Sequence, residues 1–323
     1  MSFEGKNILV TGAAGFIGSN LTHELVDLGA NVIGIDNLYN GRIENLEELS
    51  NNKAFRFIKG DIRDLNFLIE LFKDIDIIYH KAAFTSVPQS ILMPETCNNI
   101  NVNGTLNVLN AARIRDIEKI IYASSSSVYG DTPTLPKKED MLRNPISPYG
   151  VAKLACEGYM QAYYQVYGLK TVSLRYFNVF GPRQINSPYS GVIAIWLGRI
   201  IDNKELIIYG DGEQSRDFTY IKDIIKANLL ATEYDVSGEI INLGAGNPIT
   251  ITNLAKLMLK LTKKEILNII YTDPRPGDIK HSFADISRAK ELIKFQPQYN
   301  QEEGLKDYFN WYRKKYGINL TIE

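Results

Sequence analysis

The stretch Thr11-Gly12-Ala13-Ala14-Gly15-Phe16-Ile17-Gly18 follows the apolar run at residues 8–10 and leads directly into an amphipathic segment. A glycine-rich turn between a strand and a helix is the setting of a dinucleotide fingerprint, although the spacing here differs from G-x-G-x-x-G. Gly12 permits the tight turn, and Gly15 lets the backbone approach a pyrophosphate at the helix N-terminus. Gly18 allows close packing of the helix on the strand. A turn rich in glycine for steric reasons alone is the competing interpretation, and the strand-turn-helix setting favours the dinucleotide site.

Short β-branched runs alternate with longer amphipathic stretches through the first half of the chain. The predicted strands are residues 8–10, 32–35, 55–59, 75–79, 120–123 and 171–174. The predicted helices between them are residues 16–28, 65–72, 98–115 and 148–167. Each helix is long enough for a right-handed crossover between parallel strands. The pattern predicts an α/β chain with a Rossmann-type, doubly wound parallel sheet.

The alternation weakens after about residue 178, where Pro, Gly and aromatic residues indicate longer loops. We therefore expect a coenzyme-binding domain over residues 1–178 and a smaller α/β substrate domain over residues 179–323. Two later helices are predicted, at residues 221–234 and 252–261, and they can pack back against the first domain. About residues 214–245 are expected to join it.

Composition excludes several classes of protein. The 323 residues are 45% hydrophobic, enough for a large core, and 36 basic residues balance 37 acidic ones, which leaves no charge footprint for nucleic acid or an anionic membrane. Cys97, Cys156 and three histidines show neither a disulfide framework nor metal-ligand spacing. No apolar run approaches the roughly 20 residues that span a bilayer, and the first strand leaves no room for a signal peptide. We expect a cytoplasmic protein without a bound metal.

A carboxylate at the end of the second predicted strand indicates which dinucleotide binds. Asp36 lies 18 residues after Gly18, where it can accept hydrogen bonds from both adenosine ribose hydroxyls and repel a 2′-phosphate. NAD is therefore favoured over NADP, although the nearby Arg42 leaves room for a phosphate contact if it is not simply solvated. Asp61-Ile62 and Ala82-Ala83 follow the third and fourth predicted strands, at the edge where ligands bind in such sheets.

Tyr149 and Lys153 share one face at the start of a predicted helix, because they are four residues apart. A phenol with a pKa near 10 is a poor base at neutral pH, but a neighbouring ammonium favours the phenolate and lowers that pKa. Many such pairs are only surface neighbours. Here the serines at 124–127 follow the fifth predicted strand, so their hydroxyls can meet Tyr149 over one pocket.

Together these motifs resemble the extended short-chain dehydrogenase/reductases that modify nucleotide sugars, and in particular their 4-epimerase group. The resemblance rests on the glycine turn, on Ser124-Ser125-Ser126-Ser127-Val128-Tyr129-Gly130 and on Tyr149-x-x-x-Lys153. It covers nearly the whole chain and continues through residues 174–183, 210–212, 216–218 and 275–278.

The resemblance implies a role for each catalytic residue. Ser125 would hold the sugar 4-hydroxyl, Tyr149 would remove its proton as hydride leaves C4 for NAD, and Lys153 would hold the coenzyme ribose. A base, an activating cation and a positioning donor are also what the oxidation of a secondary alcohol needs. The expected coenzyme contacts are Gly12, Gly15, Phe16, Ile17, Gly18, Asp36, Asn37, Asp61, Ile62, Ala82, Ala83, Asn101, Tyr149 and Lys153.

The resemblance also implies a site for the nucleotide sugar. Arg216 and Arg275 can neutralise its diphosphate through bidentate contacts, Asn178 matches a diphosphate-binding amide, and Asp278 matches the carboxylate that binds the nucleotide ribose. The loop at Ser86 resembles one that lines the sugar. The expected substrate contacts are Ser86, Ser125, Ser126, Asn178, Arg216, Arg275, Asp278 and Ser282. UDP is the commonest nucleotide in this branch, and dTDP stays open.

Two residue types that related enzymes have are missing from this chain, and their absence narrows the set of possible reactions and substrates. Related dehydratases carry Asp-Glu, and related decarboxylases Glu, in the segment where this chain has Ser126-Ser127. Serine has no accessible ionisation near neutral pH and cannot supply the proton for elimination, so that 4-epimerisation is favoured over dehydration. Ser282 falls where epimerases restricted to UDP-glucose and UDP-galactose have tyrosine, and its small size leaves room for an acetamido group.

The resulting hypothesis is a 4-epimerase that interconverts UDP-GlcNAc and UDP-GalNAc, and also UDP-glucose and UDP-galactose. A UDP-glucuronate 4-epimerase, a nucleotide-sugar reductase and a non-catalytic NAD-binding module are the alternatives. A homodimer is expected by resemblance only. Gly244-Ala245-Gly246 is assigned a structural turn before a helix N-cap at Thr250 or Thr252, and the role of Lys81 stays open.

Overall fold

The structure is a computed structural model and describes residues 3–184, 191–274 and 279–323. In chain order the strands are β1 Asn7–Thr11, β2 Asn31–Asp36, β3 Phe55–Lys59, β4 Ile77–His80, β5 Lys119–Ser125, β6 Lys170–Tyr176, β7 Val179–Phe180, β8 Leu206–Tyr209, β9 Ser215–Arg216, β10 Thr219–Tyr220, β11 Ile240–Leu243, β12 Ile249–Thr250, β13 Ile269–Thr272 and β14 His281–Ser282. The α-helices are α1 Phe16–Asp27, α2 Leu65–Leu71, α3 Val87–Leu92, α4 Pro94–Asn98, α5 Gly104–Ile114, α6 Pro148–Tyr167, α7 Val192–Ile201, α8 Ile221–Glu233, α9 Ile251–Leu261, α10 Ser287–Ile293 and α11 Gln301–Tyr316. Short 3₁₀ segments lie at Ile43–Leu49 and Ser126–Tyr129, and a π-helical turn lies at Asn99–Asn103.

One parallel sheet organises the molecule. Its seven strands lie in the order β11-β6-β5-β4-β1-β2-β3. Thr11, the last residue of β1, lies opposite Ile35 on β2 and His80 on β4. Strands β2 and β3 are added on one side of β1, whereas β4, β5 and β6 are added on the other side. This change in strand order between β1 and β4 places the ligand-binding crevice at the carboxyl ends of these two strands. The predicted Rossmann-type fold is confirmed.

Both faces of the sheet are covered by helices. Alternate residues of β1 enter different apolar clusters, with Ile8 and Val10 on the side of α1 and α8, and Leu9 on the side of α2, α5 and α6. A strand buried on both faces is apolar at almost every position, which is why these segments are recognisable in the sequence as short, continuous apolar runs.

Two differences from the predicted elements concern the large sheet and the helices beside it. The predicted helix at residues 98–115 is interrupted by the π-helical turn Asn99–Asn103, where the Asn101 amide bonds the backbone N–H and C=O of Phe84 at 2.7 and 3.1 Å. A turn with one extra residue directs this side chain inward, a tertiary contact that helical periodicity does not reveal. Strand β11 is not predicted either, although its residues fall within the 214–245 segment that was expected to join the first domain.

Beyond residue 178 the chain forms small sheets, in which β8 pairs with β13, β9 lies between β12 and β14, and β7 pairs with β10. Helix α8 and strand β11 return to the large sheet. The division into domains at residue 178 stays a prediction. Within the described part of the chain, no helix combines the length and apolarity needed to cross a membrane. The same residues hold no cluster of His, Cys, Asp or Glu suited to a metal ion.

Candidate active site

The glycine turn closes tightly against two neighbours. Gly12 has φ +70°, and a Cβ there would lie 2.7 Å from the backbone nitrogen of Ala82, on the loop after β4. A Cβ on Gly18 would overlap the carbonyl oxygen of Gly12. Gly15 is the N-cap of α1 and makes no side-chain bond to the first-turn amides, so that this helix end suits an anionic ligand. The structure thus places the predicted pyrophosphate site at the N-terminus of α1, and Phe16 and Ile17 begin this helix.

Asp36 lies beside this turn at the end of β2. Its carboxylate accepts hydrogen bonds from the backbone N–H of Ala14 at 3.1 Å and of Leu38 at 2.8 Å. Burial raises the pKa of Asp36, and the two N–H groups act in the opposite direction. The structure thus places the predicted ribose-binding carboxylate next to the predicted pyrophosphate site. Arg42 is exposed, and its backbone N–H donates to the carbonyl oxygen of Ala14 at 2.9 Å.

Three further predicted coenzyme residues lie along the same edge. Asn37 donates a hydrogen bond to Asp61 at 2.9 Å, and Arg63 holds the pKa of Asp61 far below its usual value through hydrogen bonds to both carboxylate oxygens. Ile62 is buried and packs on α5 at Gly104. Asn37 and Asp61 are therefore brought together across β2 and β3, as their positions at strand ends predict.

The loop after β4, which begins at Lys81, is held by hydrogen bonds to the end of β1. The Thr11 hydroxyl accepts from the backbone N–H groups of Lys81 and Ala82, both at 3.1 Å, and shares a hydrogen bond with His80 Nδ1 at 2.7 Å. His80 Nε2 bonds the Thr105 hydroxyl at 3.0 Å. Burial lowers the pKa of His80 to about 3, so the ring is neutral at physiological pH. Ala82 and Ala83 are half-buried at the mouth of the crevice.

Asn101 supports the same loop rather than facing solvent. Its amide is buried. The amide oxygen accepts from the backbone N–H of Phe84, and the amide nitrogen donates to the carbonyl oxygen of Phe84 and to Cys97 Sγ, the latter at 3.5 Å. The structure therefore places this predicted coenzyme residue behind the loop that carries Ala82 and Ala83.

Tyr149, Lys153 and Ser125 meet where β5 ends and α6 begins. Ser147 caps α6 by accepting from the Gly150 N–H at 3.1 Å. Lys153 is buried and donates to the carbonyl oxygen of Ala123 at 2.7 Å, with its Nζ 5.8 Å from the centroid of the Tyr149 ring. The Ser125 side chain lies close enough to the Tyr149 phenol to lower its pKa. The structure brings the three predicted catalytic side chains together.

In the structure the pKa of Tyr149 is raised, whereas the sequence predicts that the Lys153 ammonium lowers it. Burial raises this pKa to about 12, while the nearby Ser125 side chain acts in the opposite direction. Burial also lowers the pKa of Lys153 to about 8. Lys153 therefore does not by itself bring the phenol into the neutral range, because desolvation disfavours the charged forms of both groups.

Ser126 and Ser127 continue from this centre. Ser126 begins the 3₁₀ segment and is half-buried. The backbone N–H and the hydroxyl of Ser127 both donate to Ser125 Oγ, at 3.2 and 3.0 Å. The Ser127 hydroxyl thus helps to orient Ser125.

A second cavity, of about 220 Å³, lies among the small sheets after residue 178. Asn178 and Arg216 line it, and Asn178 has φ +33°, a conformation that L residues rarely adopt. Arg216 donates to the carbonyl oxygens of Ser215 and Lys280 at 2.9 and 3.1 Å. Ser282 is buried on β14, directly opposite Arg216. These three predicted substrate residues are thus neighbours.

The remaining predicted substrate residues lie elsewhere. Ser86 is the N-cap of α3 and accepts from the Gln89 N–H at 3.2 Å. Ser90 of that helix accepts from the backbone N–H of Tyr149 at 3.2 Å, which ties the Ser86 loop to α6. Arg275 and Asp278 lie outside the described residues.

Sequence reasoning missed a buried ion pair beside the catalytic side chains. Arg175 donates to both carboxylate oxygens of Glu157 at 2.8 Å. The signal that could have found Glu157 was its position four residues after Lys153, on the same helix face. It also missed Gln184, Trp196 and Gln214 in the lining of the second cavity, for which the sequence carries no local signal.

The structure shows hydrogen-bond partners for Lys81, whose role the sequence leaves open, and for the turn at residues 244–246, which is predicted to be structural. The Lys81 ammonium donates to Ile121 O, Tyr176 Oη and Asn228 Oδ1, at 3.1, 3.0 and 2.8 Å, and so joins β4 to β5, β6 and α8. In the Gly244-Ala245-Gly246 turn, the N–H groups of Ala245 and Gly246 donate to the Asp217 carboxylate. The helix N-cap that follows is Thr250.

Comparison with known proteins gives these features a context. Residues 8–244 match the model of the NAD dependent epimerase/dehydratase family. A putative UDP-glucose 4-epimerase of Methanocaldococcus jannaschii is 39% identical over 94% of this chain and 97% of its own length. The structure of a UDP-N-acetylglucosamine 4-epimerase from Methanobrevibacter ruminantium M1, in complex with UDP-N-acetylmuramic acid, is 42% identical, with a TM-score of 0.92 over 97% of this chain and 99% of that one.

A further structure is that of a UDP-glucuronic acid 4-epimerase from Bacillus cereus in complex with UDP-glucuronic acid and NAD. It is 34% identical, with a TM-score of 0.90 over 96% of this chain and 100% of that one. The predicted family and its NAD coenzyme are thereby confirmed. Matches of this extent, over a site built around the glycine turn and the Tyr149 helix, show that the chain belongs to the NAD-dependent epimerase/dehydratase family.

Proposed function

We propose that this protein is a UDP-sugar 4-epimerase in which Tyr149 is the base, Ser125 holds the reacting hydroxyl and Lys153 supplies the neighbouring positive charge. The observation that carries the proposal is the meeting of these three side chains at the end of β5, with serines at 126 and 127. The names of the relatives, which include 4-epimerases of several UDP-sugars, support the same reaction class.

NAD, when bound, would supply the acceptor for the hydride of C4 and later its donor, and it would add positive charge to the site. That charge favours the phenolate form of Tyr149, which burial alone disfavours. Tyr149 Oη then takes the proton of the 4-hydroxyl while Ser125 Oγ holds the same oxygen. In the return step, in which the hydride goes back to C4 on the opposite face of the sugar, Tyr149 gives the proton back to the C4 oxygen.

The surroundings of Ser125 support epimerisation over elimination. Elimination needs an acid that can protonate a leaving hydroxyl. Ser126 and Ser127 cannot fill this role, and the carboxylate on the same face of α6, Glu157, is bound by Arg175 and Ser124. The protons of the reaction therefore move through Tyr149, as a reversible oxidation at C4 requires.

We further propose that UDP-GlcNAc and UDP-GalNAc are the preferred pair. Ser282 is small and lies opposite Arg216, beside the cavity that Asn178 also lines. We assign the diphosphate to Asn178 and Arg216, together with Arg275, and the nucleotide ribose to Asp278. An acetamido group next to Ser282 would meet a hydroxyl rather than a ring.

The test is an assay of the purified protein with UDP-GlcNAc, UDP-glucose and UDP-glucuronate, in which each 4-epimer is detected directly. We expect the fastest conversion with UDP-GlcNAc and no net change in NADH absorbance, because the hydride is returned. Stoichiometric formation of NADH would refute an epimerase. Conversion of UDP-glucuronate alone would retain the reaction class and refute the proposed sugar.

A further inference from the structure

Three consecutive residues at the end of β5 contact three residues of α6 that are spaced by four. Lys153 Nζ donates to Ala123 O at 2.7 Å, Ser124 Oγ donates to Glu157 Oε1 at 2.5 Å, and Ser125 lies close enough to the Tyr149 phenol to lower its pKa. Positions separated by four residues lie above one another on a helix. Glu157 is thus the third member of the face that carries Tyr149 and Lys153.

Glu157 is also the member that is anchored to the rest of the sheet. Arg175 on β6 binds it with two parallel hydrogen bonds at 2.8 Å, and both side chains are almost completely buried, with exposed fractions of 0% and 2%. Arg175 continues to the Tyr129 hydroxyl at 2.7 Å, which donates to Asn242 on β11 at 2.7 Å. A bidentate guanidinium–carboxylate pair fixes both planes. The position of Glu157 is therefore defined from β5, β6 and β11 together.

A buried ion pair is a costly way to hold two elements together. Apolar residues of similar volume stabilise a core as well or better, because the desolvation of both charges offsets their attraction. The pair instead fixes the orientation and position of α6, because two parallel hydrogen bonds tolerate little rotation or sliding of this helix against β5.

We propose that Glu157 is a positioning residue, which through Arg175 and Ser124 sets the rotation and translation of α6 on β5 and thereby places Tyr149 and Lys153. The inference rests on the proposed function in taking Tyr149 and Lys153 as the catalytic pair. Glu157 itself touches neither the sugar nor the coenzyme in this role.

The charge of Glu157 has a second consequence for Lys153. Burial lowers the pKa of Lys153, and Glu157 opposes that shift. The other titratable groups around the ammonium are Tyr122 on β5, Tyr149 and Cys156 on α6, Cys97 on α4, and His80 and Lys81 on and after β4. His80 is neutral, and the thiols and phenols are protonated near pH 7, so that Glu157 is the anion among these groups.

The experiment compares Glu157→Gln and Ser124→Ala with Tyr163→Phe. Tyr163 lies on the same helix and donates to Asn110 at 2.8 Å, far along α6 from its first turn, so that its variant controls for the loss of one α6 hydrogen bond. We expect kcat to fall about 100-fold in Glu157→Gln, because a small misplacement of catalytic groups has this effect. It should fall about tenfold in Ser124→Ala, which loses a single hydrogen bond, and stay near the wild-type value in Tyr163→Phe. KM should change little in all three.

A second readout does not need turnover. An NMR titration of the Lys153 side chain, in protein labelled with ¹³C-lysine and with the signal assigned by its loss in Lys153→Arg, reports the pKa of this amine directly. Removing the negative charge should move the midpoint to lower pH in Glu157→Gln, and it should not move in Tyr163→Phe. If the wild-type protein converts no UDP-sugar, the proposed function fails, whereas the titration midpoint still decides the role of Glu157.

Wild-type kcat and an unchanged Lys153 midpoint in folded Glu157→Gln would overturn the inference. An equal loss of kcat in Tyr163→Phe would do so as well, because it would show a general weakening of α6. If Glu157→Gln does not fold, Glu157→Gln combined with Arg175→Met removes both buried charges, and the same loss of kcat is expected.

Discussion

The two halves of the crevice work by opposite means. Around the glycine turn, the proposed coenzyme site depends on positions without a side chain, because a Cβ at Gly12 or Gly18 would overlap backbone atoms. Around α6, function depends on side chains that come from β5, β6 and the helix itself. The first region is local in sequence, and the second is assembled from distant segments. The difference teaches that shape can be encoded locally, whereas the ionisation of a base cannot.

The largest expected effect separates chemistry from coenzyme binding. Tyr149→Phe removes the proposed base, and kcat should fall about 10³-fold, within the range for loss of a general base. Affinity for NADH, measured by fluorescence, should persist because the glycine turn is untouched. Tyr159→Phe, on an exposed part of the same helix, is the matched control. Loss of NADH binding in Tyr149→Phe would show that the two regions are not separable.

The converse change targets the backbone-built region. A methyl group on Gly18 would overlap the Gly12 carbonyl oxygen, so that Gly18→Ala should lower the free energy of unfolding by about 3 kcal/mol and also weaken NADH binding. Urea denaturation monitored by circular dichroism measures the first effect. Gly158→Ala is the control, because a Cβ at Gly158 meets nothing within 4 Å. Equal stability of the two variants would contradict the close approach.

Lowering the pH should destabilise the protein at His80, which lies between the two regions. His80 binds Thr11 below the glycine turn and Thr105 on α5, and burial lowers its pKa to about 3. The unfolded chain binds the proton at higher pH, so the stability that neutral His80 provides is complete above about pH 6.5 and is lost as pH falls towards about 3. Between about pH 7 and pH 4.5 the loss amounts to about 2 to 3 kcal/mol.

The control for this pH effect is His80→Gln, whose amide can still bond both threonines and does not titrate. Thermal unfolding at the two pH values measures the difference. The variant should lose less stability on acidification than the wild-type protein. An identical loss would mean that carboxyl groups, and not His80, account for the acid response.

The smallest expected effect lies in the substrate half. Ser282→Tyr should lower kcat/KM for UDP-GlcNAc about tenfold relative to UDP-glucose, because a ring would occupy the space proposed for the acetamido group. The ratio is measured within one variant, and retained turnover of UDP-glucose shows that the protein has folded. Ser282→Ala should keep the wild-type ratio. Equal losses on both sugars would argue against this position as a selector.

Much of the fold could be predicted from the sequence, because short, β-branched apolar runs alternate with longer amphipathic stretches that have the helical period. The prediction of secondary structure failed where a contact between residues far apart in the sequence determines the local conformation. Asn101 bonds Phe84 and interrupts the predicted helix. Strand β11 is short and joins the sheet after a long excursion, and nothing in its own four residues predicts that partner.

The sequence by itself determined the glycine turn between β1 and α1, the position of Asp36 at the end of β2 and the helix face shared by Tyr149 and Lys153, because each depends on neighbours within a few residues or on the end of one strand. Only the tertiary structure decided how burial shifts the pKa values of Tyr149 and Lys153, and which partners Glu157 and Lys81 have. Desolvation is set by everything that surrounds a group, and a buried charge needs partners from other strands. Such terms have no local pattern in the chain.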